Sequence, residues 1–414
     1  MNFYSQFIDT HDDKSYDNIR NILMTKYGIK TYLDINYGAY ILLHDDNTKT
    51  IDQFEDELDK QMIYNTRGLI VEHTLHRPLC MSVPIQIELE KLELPTLKPN
   101  EPYTFMKMIE GTYIRMYSYD GTWKFATTRM MDSSNPRSKW STDKTFKQLL
   151  FEVFRKSQPL DFSKLNAQYT YQMILQHPEN RVVHRHYNHN VYLCGVYDNT
   201  TLRSVSLPDS DYIYEVCKPI EKHELTVDET VNISRTTDDM CTHEIGHLVF
   251  NSSDSIDMCY KIATKKYRND AELMMNTASI VERYVKLIRL DKQSTAESIE
   301  PTEQMEEQVS LLDKYKQAFP EDISLLDDLT SKIDFIANDV YRLYGLRFKR
   351  PSSNMPRRIL TQNDGFIQSI HYPILLSIHT MYCDVLKPQQ RTVQLEDVKN
   401  HILEVIDPKK VASL

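Results

Sequence analysis

Glycine is scarce in this chain, with 9 residues in 414, and neither G-x-G-x-x-G nor G-x-x-x-x-G-K occurs. The backbone turns that cradle phosphates in Rossmann and P-loop proteins are thereby excluded, so a nucleotide bound here is bound by another route. The six cysteines (Cys80, Cys194, Cys217, Cys241, Cys259, Cys383) form no C-x-x-C pair. That spacing argues against a zinc ribbon or a disulfide framework and for reduced thiols in a cytosolic, cytoplasmic setting. No apolar run approaches 18 residues, and Met1-Asn2-Phe3-Tyr4-Ser5 has neither a basic n-region nor an apolar h-region. Neither a membrane span nor a secretory leader is expected. A formal net charge of −10 argues against indiscriminate coating of nucleic acid and leaves room for a local basic groove.

What is present suits a globular chain of two or three domains: 41% hydrophobic and 26% charged residues, with 26 tyrosines. Residues 1–60 read as a helix from about Tyr16 to Tyr27, a strand pair within Lys30–Leu43 and an acidic helix near Ile51–Gln61, all with a packing role. From Thr104 to Asp132 the apolar period is close to two, and Asp120-Gly121 between two such runs is a hairpin signal. The reading is strand, turn at Glu110-Gly111, strand, hairpin and strand, joined in one antiparallel sheet. Phe146, Leu149, Leu150, Val153 and Phe154 have helical spacing, and Val191–Tyr197 reads as a buried strand. After Asn269-Asp270, read as a helix cap, the period becomes 3.6, which predicts an all-helical domain over 270–414. Arg347, Lys349, Arg350, Arg357 and Arg358 form a basic loop, either solvated or in contact with an RNA backbone. Arg137 and Lys139 carry the same ambiguity.

Two metal patterns fail on their context. His177, His184, His186 and His189 lack a carboxylate at useful spacing, and His243-Glu244-Ile245-Gly246-His247 continues into a strand-like Leu248-Val249-Phe250 rather than the helix a zinc protease needs.

Five stretches acquire meaning together. Arg67-Gly68 opens the strand Leu69-Ile70-Val71-Glu72; Met108-Ile109-Glu110-Gly111-Thr112 follows; then come Pro178-x-Asn180-Arg181-Val182-Val183, Glu244-Ile245-Gly246-His247-Leu248-Val249, and Lys261-x-Ala263-x-x-x-Tyr267. In order and spacing they resemble the motifs of the RNA ligase 1 family, within the covalent nucleotidyltransferase superfamily of ATP-dependent ligases and capping enzymes. The likeness covers roughly residues 60–270. It implies an α+β chain: an antiparallel-sheet nucleotidyltransferase domain (ATP-grasp-like ligase), with residues 1–60 as its N-terminal part and 61–269 as its core, followed by the all-helical C-terminal domain.

The resemblance also implies ATP, Mg2+ or Mn2+, and RNA ends as substrates. Arg67 would contact the triphosphate, Glu244 would bind catalytic metal through water, Lys261 would hold the α-phosphate and Lys265 the γ-phosphate. Lys107, Met108, Ile109, Glu110, Gly111 and Arg115 would line the nucleotide. The family commonly has a glutamate for the ribose where this chain has Ile174, with Gln176 on the same strand face as a substitute.

The departure that matters is at position 108. Glu110-Gly111-Thr112 sets a register that puts Met108 where the family has its nucleophilic lysine, and strand alternation turns Lys107 to the other face unless a bulge rotates it inward. A thioether forms no stable phosphoramidate. The chain should therefore hold ATP without lysine adenylylation, either as a pseudoenzyme or through a substitution that arrests the complex. Sealing of pre-adenylylated RNA, a reaction needing no free lysine amine, stays open to it. Other readings are an mRNA-capping guanylyltransferase, a DNA ligase, and a noncatalytic nucleotide- or RNA-end-binding protein. An OB-fold segment, expected for the first two, is not evident after Tyr267.

Overall fold

The structure, a computed structural model, describes residues 1–81, 85–88, 103–134, 144–225, 245–251, 259–275, 277–297, 309–349 and 371–405. The chain divides into two compact units, Met1–Arg268 and Asn269–Leu414. The first unit carries the strands. β1 is Lys30–Asp34, β2 Ala39–Leu43, β3 Ile70–Glu72, β4 Pro78–Cys80 and β5 Gln86–Glu88. β6 is Tyr103–Lys107, β7 Thr112–Tyr119, β8 Thr122–Ala126, β9 Tyr169–Gln176 and β10 Asn190–Asp198. β11 is Lys218–Pro219, β12 Lys222–Leu225, β13 Gly246–Asn251 and β14 Cys259–Ala263.

They form three sheets, ordered β1-β2-β3-β4, β11-β10-β9-β7-β8 and β12-β6-β13-β14-β5. Pairing is antiparallel except at β10/β11 and β14/β5. The first sheet packs under the helices Phe3–Asp9, Tyr16–Ile22 and Glu57–Asn65 through a core that includes Phe7, Leu23, Tyr27, Leu42 and Met62. The Asp120-Gly121 turn has φ of 52° and 66°, the two positive values that a tight β7–β8 hairpin requires.

One expectation changes here. β6 and β7 are consecutive and alternate as predicted, but they belong to different sheets: β6 pairs with β12 and β13, whereas β7 pairs with β8 and β9. Alternation reports which face is buried, not which strand is the neighbour. The two five-stranded sheets meet across an apolar layer with Ile174 and Cys194 from one and Met106, Leu248 and Cys259 from the other. The opposite face of the β7–β10 sheet is covered by the helix Phe146–Lys156, which buries Leu149, Leu150, Val153 and Phe154 and starts on a capping box between Thr145 and Gln148.

The helix after β14 begins at Lys265, not after Asn269-Asp270. Thr264 caps it: its hydroxyl accepts the Tyr267 N–H at 3.1 Å and its carbonyl accepts Arg268 N–H at 3.0 Å. Among the described residues of 269–414, every regular element is helical. In that unit buried Arg283 donates to the hydroxyl of Tyr315 at 2.9 Å, and Tyr315 donates to Asp322 at 2.6 Å. No helix among the described residues is long and apolar enough to cross a membrane.

Candidate functional site

The chain leaves β6 at Lys107 and enters β7 at Thr112, so Met108 to Gly111 carry it from one sheet to the other. The β6–β13 ladder runs regularly to its end, with Lys107 opposite His247, and Met108 N–H donates to the Gly246 carbonyl at 2.9 Å. No bulge interrupts this stretch. Met108 packs on the apolar layer between the sheets, together with Met106 and Ile174. Gly111 is the crossing point: a Cβ there would stand 2.5 Å from the carbonyl oxygen of Leu175 and 2.6 Å from Cγ2 of Ile174.

Glu110 fastens the crossing to the segment after β9. Its side chain is buried, Oε1 accepts the N–H groups of Val183 at 2.7 Å and His184 at 2.9 Å, and Oε2 accepts from Nδ1 of His184 at 3.0 Å. Two further clips hold the same segments together. Gln176 Nε2 donates to the Glu110 carbonyl at 2.9 Å, and buried Asn180 donates to Thr112 Oγ1 at 2.9 Å. Residues of the second and third motif stretches, about seventy positions apart in sequence, thus form one rigid corner.

This corner walls a cavity of about 590 Å3, inside the ~300–1,000 Å3 range of small-molecule and cofactor sites. Lys107, Met108, Ile109 and Glu110 form one wall, and Gln176 and the run His184–Asn188 another. Ile245, Thr264, Lys266 and Tyr267 close it. The cations Lys107, Arg185 and Lys266 line the cavity, while the carboxylate of Glu110 is engaged by its own donors. The balance suits a polyanion. Burial pushes His186 below the usual imidazole pKa, against the nearby Glu110 charge, and its Nε2 lies 3.7 Å from Glu110 Oε1. Burial, then the charges of Glu110 and Glu88, raise the Tyr267 phenol.

Not every expected residue converges here. Lys261 pairs with Glu88 at 2.7 Å and does not line the cavity, and neither does Lys265, although its neighbour Lys266 does. Arg115 is fully buried and donates from Nη1 to the Gly68 carbonyl and from Nη2 to that of Thr127, each at 2.5 Å. It pins the Arg67-Gly68 turn to the end of β8, away from the cavity lining. Arg67 is also outside that lining. It is exposed in part, and burial, followed by the Arg129 cation, lowers its pKa. Arg347 lies against Phe348, 5.4 Å from its ring centre. Glu244, Arg350, Arg357, Arg358, Arg137 and Lys139 lie outside the described residues, as does the side chain of Lys349.

Beside Arg67 stands His44, whose Nε2 donates to Thr66 Oγ1 at 2.9 Å, while Nδ1 is buried with no hydrogen-bond partner among the described residues. Burial, then the Arg67 cation, holds its pKa down to about 4. The folded chain keeps this ring neutral, whereas the unfolded chain protonates it below about 6.5. Its contribution is therefore complete above pH 6.5 and is lost as pH falls toward 4, at most about 3 kcal/mol. In urea melts, His44→Gln is expected to flatten the pH dependence of stability between 6.5 and 4. An unchanged slope would exclude this role.

The histidines do have carboxylate partners, contrary to the spacing argument. Glu110 serves His184 and His186, and Glu152 and Glu179 surround His177. Glu110, in the β6–β7 crossing, and Glu152, on the helix Phe146–Lys156, are distant in sequence, whereas Glu179 is two residues from His177. The donor atoms of Glu152, His177 and Glu179 lie within 4.8 Å of one another, but Lys144 Nζ already meets both carboxylates at 3.0 and 2.7 Å. His177 Nδ1 accepts the Glu179 N–H at 3.1 Å, which leaves the ring proton on Nε2, the nitrogen that faces Glu152 at 3.3 Å. The group is an internal ion-pair cluster. As for a catalytic divalent ion, Glu110 is the carboxylate that lines the cavity among the described residues, and both its oxygens are taken up by protein donors. Among the described residues no second carboxylate lines the cavity beside it.

No protein-family model matches the chain, and no curated protein matches it. Among solved structures it is similar to an archaeal ATP-dependent RNA ligase, at 10% identity over 80% of this chain and 82% of that one, with a TM-score of 0.43. A protein of Aquifex aeolicus assigned as an ATP-dependent DNA ligase aligns at 12% identity over 76% and 80% of the two chains, with a TM-score of 0.41. An RNA ligase of Naegleria gruberi, solved with ATP and Mn, aligns at 10% identity over 44% and 54%, with a TM-score of 0.32. The solved structures it resembles are ATP-dependent ligases, and at these values residue roles rest on the geometry above.

Proposed function

We propose that the chain is a nucleotidyltransferase of the RNA ligase type, taking ATP into the cavity under Glu110 and acting on RNA ends with a 5′-phosphate and a 3′-hydroxyl. One observation supports this most: Glu110 joins the Met108–Thr112 stretch to the segment Asn180–His184 around a cavity lined by Lys107, Arg185 and Lys266. The cations would take the triphosphate, with Gln176 and Tyr267 beside the nucleoside. Lys261, Lys265 and Arg67 would have to reach the phosphates from outside the described lining. Mg2+ or Mn2+ would neutralise triphosphate charge and assist departure of pyrophosphate, with Glu244 binding it through water. Arg347, Lys349, Arg350, Arg357 and Arg358 would contact the RNA backbone.

Lysine adenylylation does not occur at position 108, because the side chain there is a thioether. Met108→Lys is expected to create a covalent adenylate at that position, read as transfer of label from α-labelled ATP and located by peptide mass mapping. GTP as the preferred donor would favour the capping reading instead. A second reading, noncatalytic nucleotide or RNA-end binding, is favoured by the packing of Met108 on Met106 as an ordinary apolar residue. In that case Met108→Lys binds nucleotide without any adduct.

A further inference from the structure

We propose that Arg185 and Tyr187 receive the phosphorylated 5′ end of a single RNA strand at the rim of the cavity, the guanidinium taking the terminal phosphate and the phenol ring stacking on the first base; this rests on the reading that the cavity serves RNA ends. Both residues line the cavity. Both are also exposed, and Tyr187, at 76%, is the most exposed tyrosine, phenylalanine or tryptophan among the described residues. The side chain of His186 between them is only 12% exposed, with Nε2 3.7 Å from Glu110 Oε1. The run therefore gives one side chain to the corner and the two beside it to the mouth. It is tied at both ends. Val183 and His184 donate their N–H groups to Glu110 at 2.7 and 2.9 Å, and Asn190 pairs with Gln176 where β10 begins. A strand end arriving there meets a backbone already in place, which lowers the ordering cost of binding.

Neither side chain has a task inside the protein. Among the described residues, the Arg185 guanidinium has no ion pair or hydrogen bond, and Tyr187 has no ring, cation or hydrogen-bond partner. A guanidinium fork suits a phosphate through paired hydrogen bonds, and an open aromatic ring is a platform for a nucleobase. A nucleoside enclosed in the cavity meets instead the half-buried Tyr267, whose ring lies 5.8 Å from that of His184. The ring open to solvent fits a base whose strand continues outward. Charge decides which end of the strand it is. A terminal 5′-phosphate brings negative charge to a mouth lined by Lys107, Arg185 and Lys266, whereas a 3′-hydroxyl brings none. Stacking reads the face of a base rather than its edges, so the site tolerates all four bases.

The test uses the full chain and short single-stranded RNA in anisotropy titrations at one fixed salt concentration, with calorimetric ATP binding measured in parallel. RNA with a 5′-phosphate is expected to bind more tightly than the same strand with a 5′-hydroxyl, and Arg185→Ala to abolish that difference. Tyr187→Ala is expected to weaken binding of the phosphorylated strand about 5- to 100-fold, and Tyr187→Phe, which keeps the ring face, to stay within about threefold of wild type. An abasic nucleotide at the 5′ end should cost the wild-type chain the same factor, and Tyr187→Ala should then cost nothing more. Unchanged binding in Tyr187→Ala, equal losses with intact and abasic ends, or a loss of ATP affinity as large as the loss for RNA overturns the proposal and leaves the reading of the cavity standing. Failure of the folded chain to bind either ATP or RNA ends overturns both.

Discussion

Gly111→Ala is expected to lower the unfolding free energy of the first unit by about 3–5 kcal/mol, enough to leave much of it unfolded. The reason is local. A Cβ at Gly111 would stand 2.5 Å from the Leu175 carbonyl oxygen and 2.6 Å from Ile174 Cγ2, and the residue has φ of 157°. One of those contacts is β9 backbone in the middle of a five-stranded sheet, which cannot move aside as a side-chain tip can. Either β7 shifts in register against β9 or the crossing from β6 is rebuilt, and both disturb the apolar layer between the sheets. Gly121→Ala is the control. It has φ of 66° with nothing within 4 Å of its Cβ position, so it should lose only about 1–2 kcal/mol for the left-handed conformation. Both tryptophans of the chain, Trp123 and Trp140, belong to the first unit, so tryptophan fluorescence in a urea melt follows that unit selectively. Equal losses for the two variants would refute the argument.

How far the sequence disclosed this arrangement depends on the range of the interaction. The hairpin at Asp120-Gly121, the helix over Phe146–Lys156 and the strand after Gly246 are written in a few adjacent residues, and alternation or helical spacing suffices to read them. The sheet partner of β6 is not. Its neighbours β12 and β13 lie more than a hundred residues downstream, and nothing in Tyr103–Lys107 names them. The site divides the same way. Glu110, Gly111 and Gln176 were legible as motif positions, but the reach of Glu110 to Val183 and His184 crosses more than seventy residues. That is why the histidines looked unpartnered. Lys266 was missed for a nearer reason: the motif resemblance singled out Lys261 and Lys265, whereas the Thr264 cap starts the helix at Lys265 and Lys266 and Tyr267 enter the cavity wall.

Glu110→Ala and Glu110→Gln should part company, because glutamine keeps an acceptor oxygen that alanine lacks. Alanine leaves the N–H groups of Val183 and His184 and the Nδ1 proton of His184 without their acceptor, and Val183 is buried. At about 1–3 kcal/mol for each buried donor left unpaired, a loss of about 3–5 kcal/mol is expected. Glutamine keeps an oxygen for the two backbone N–H groups and should lose only about 1–2 kcal/mol, the difference between charged and neutral acceptors. Its amide nitrogen, however, would face Nδ1 of His184 with a donor where a second acceptor stood. To avoid two opposed protons the ring must carry its proton on Nε2, with the Nδ1 lone pair accepting from the amide. Nitrogen-15 NMR of the His184 ring would report this tautomer directly. The glutamine variant should bind ATP within about tenfold of wild type, because the cations Lys107, Arg185 and Lys266 remain. Equal stability losses for the two variants, or a ring proton that stays on Nδ1 in the glutamine variant, would refute this account of the corner.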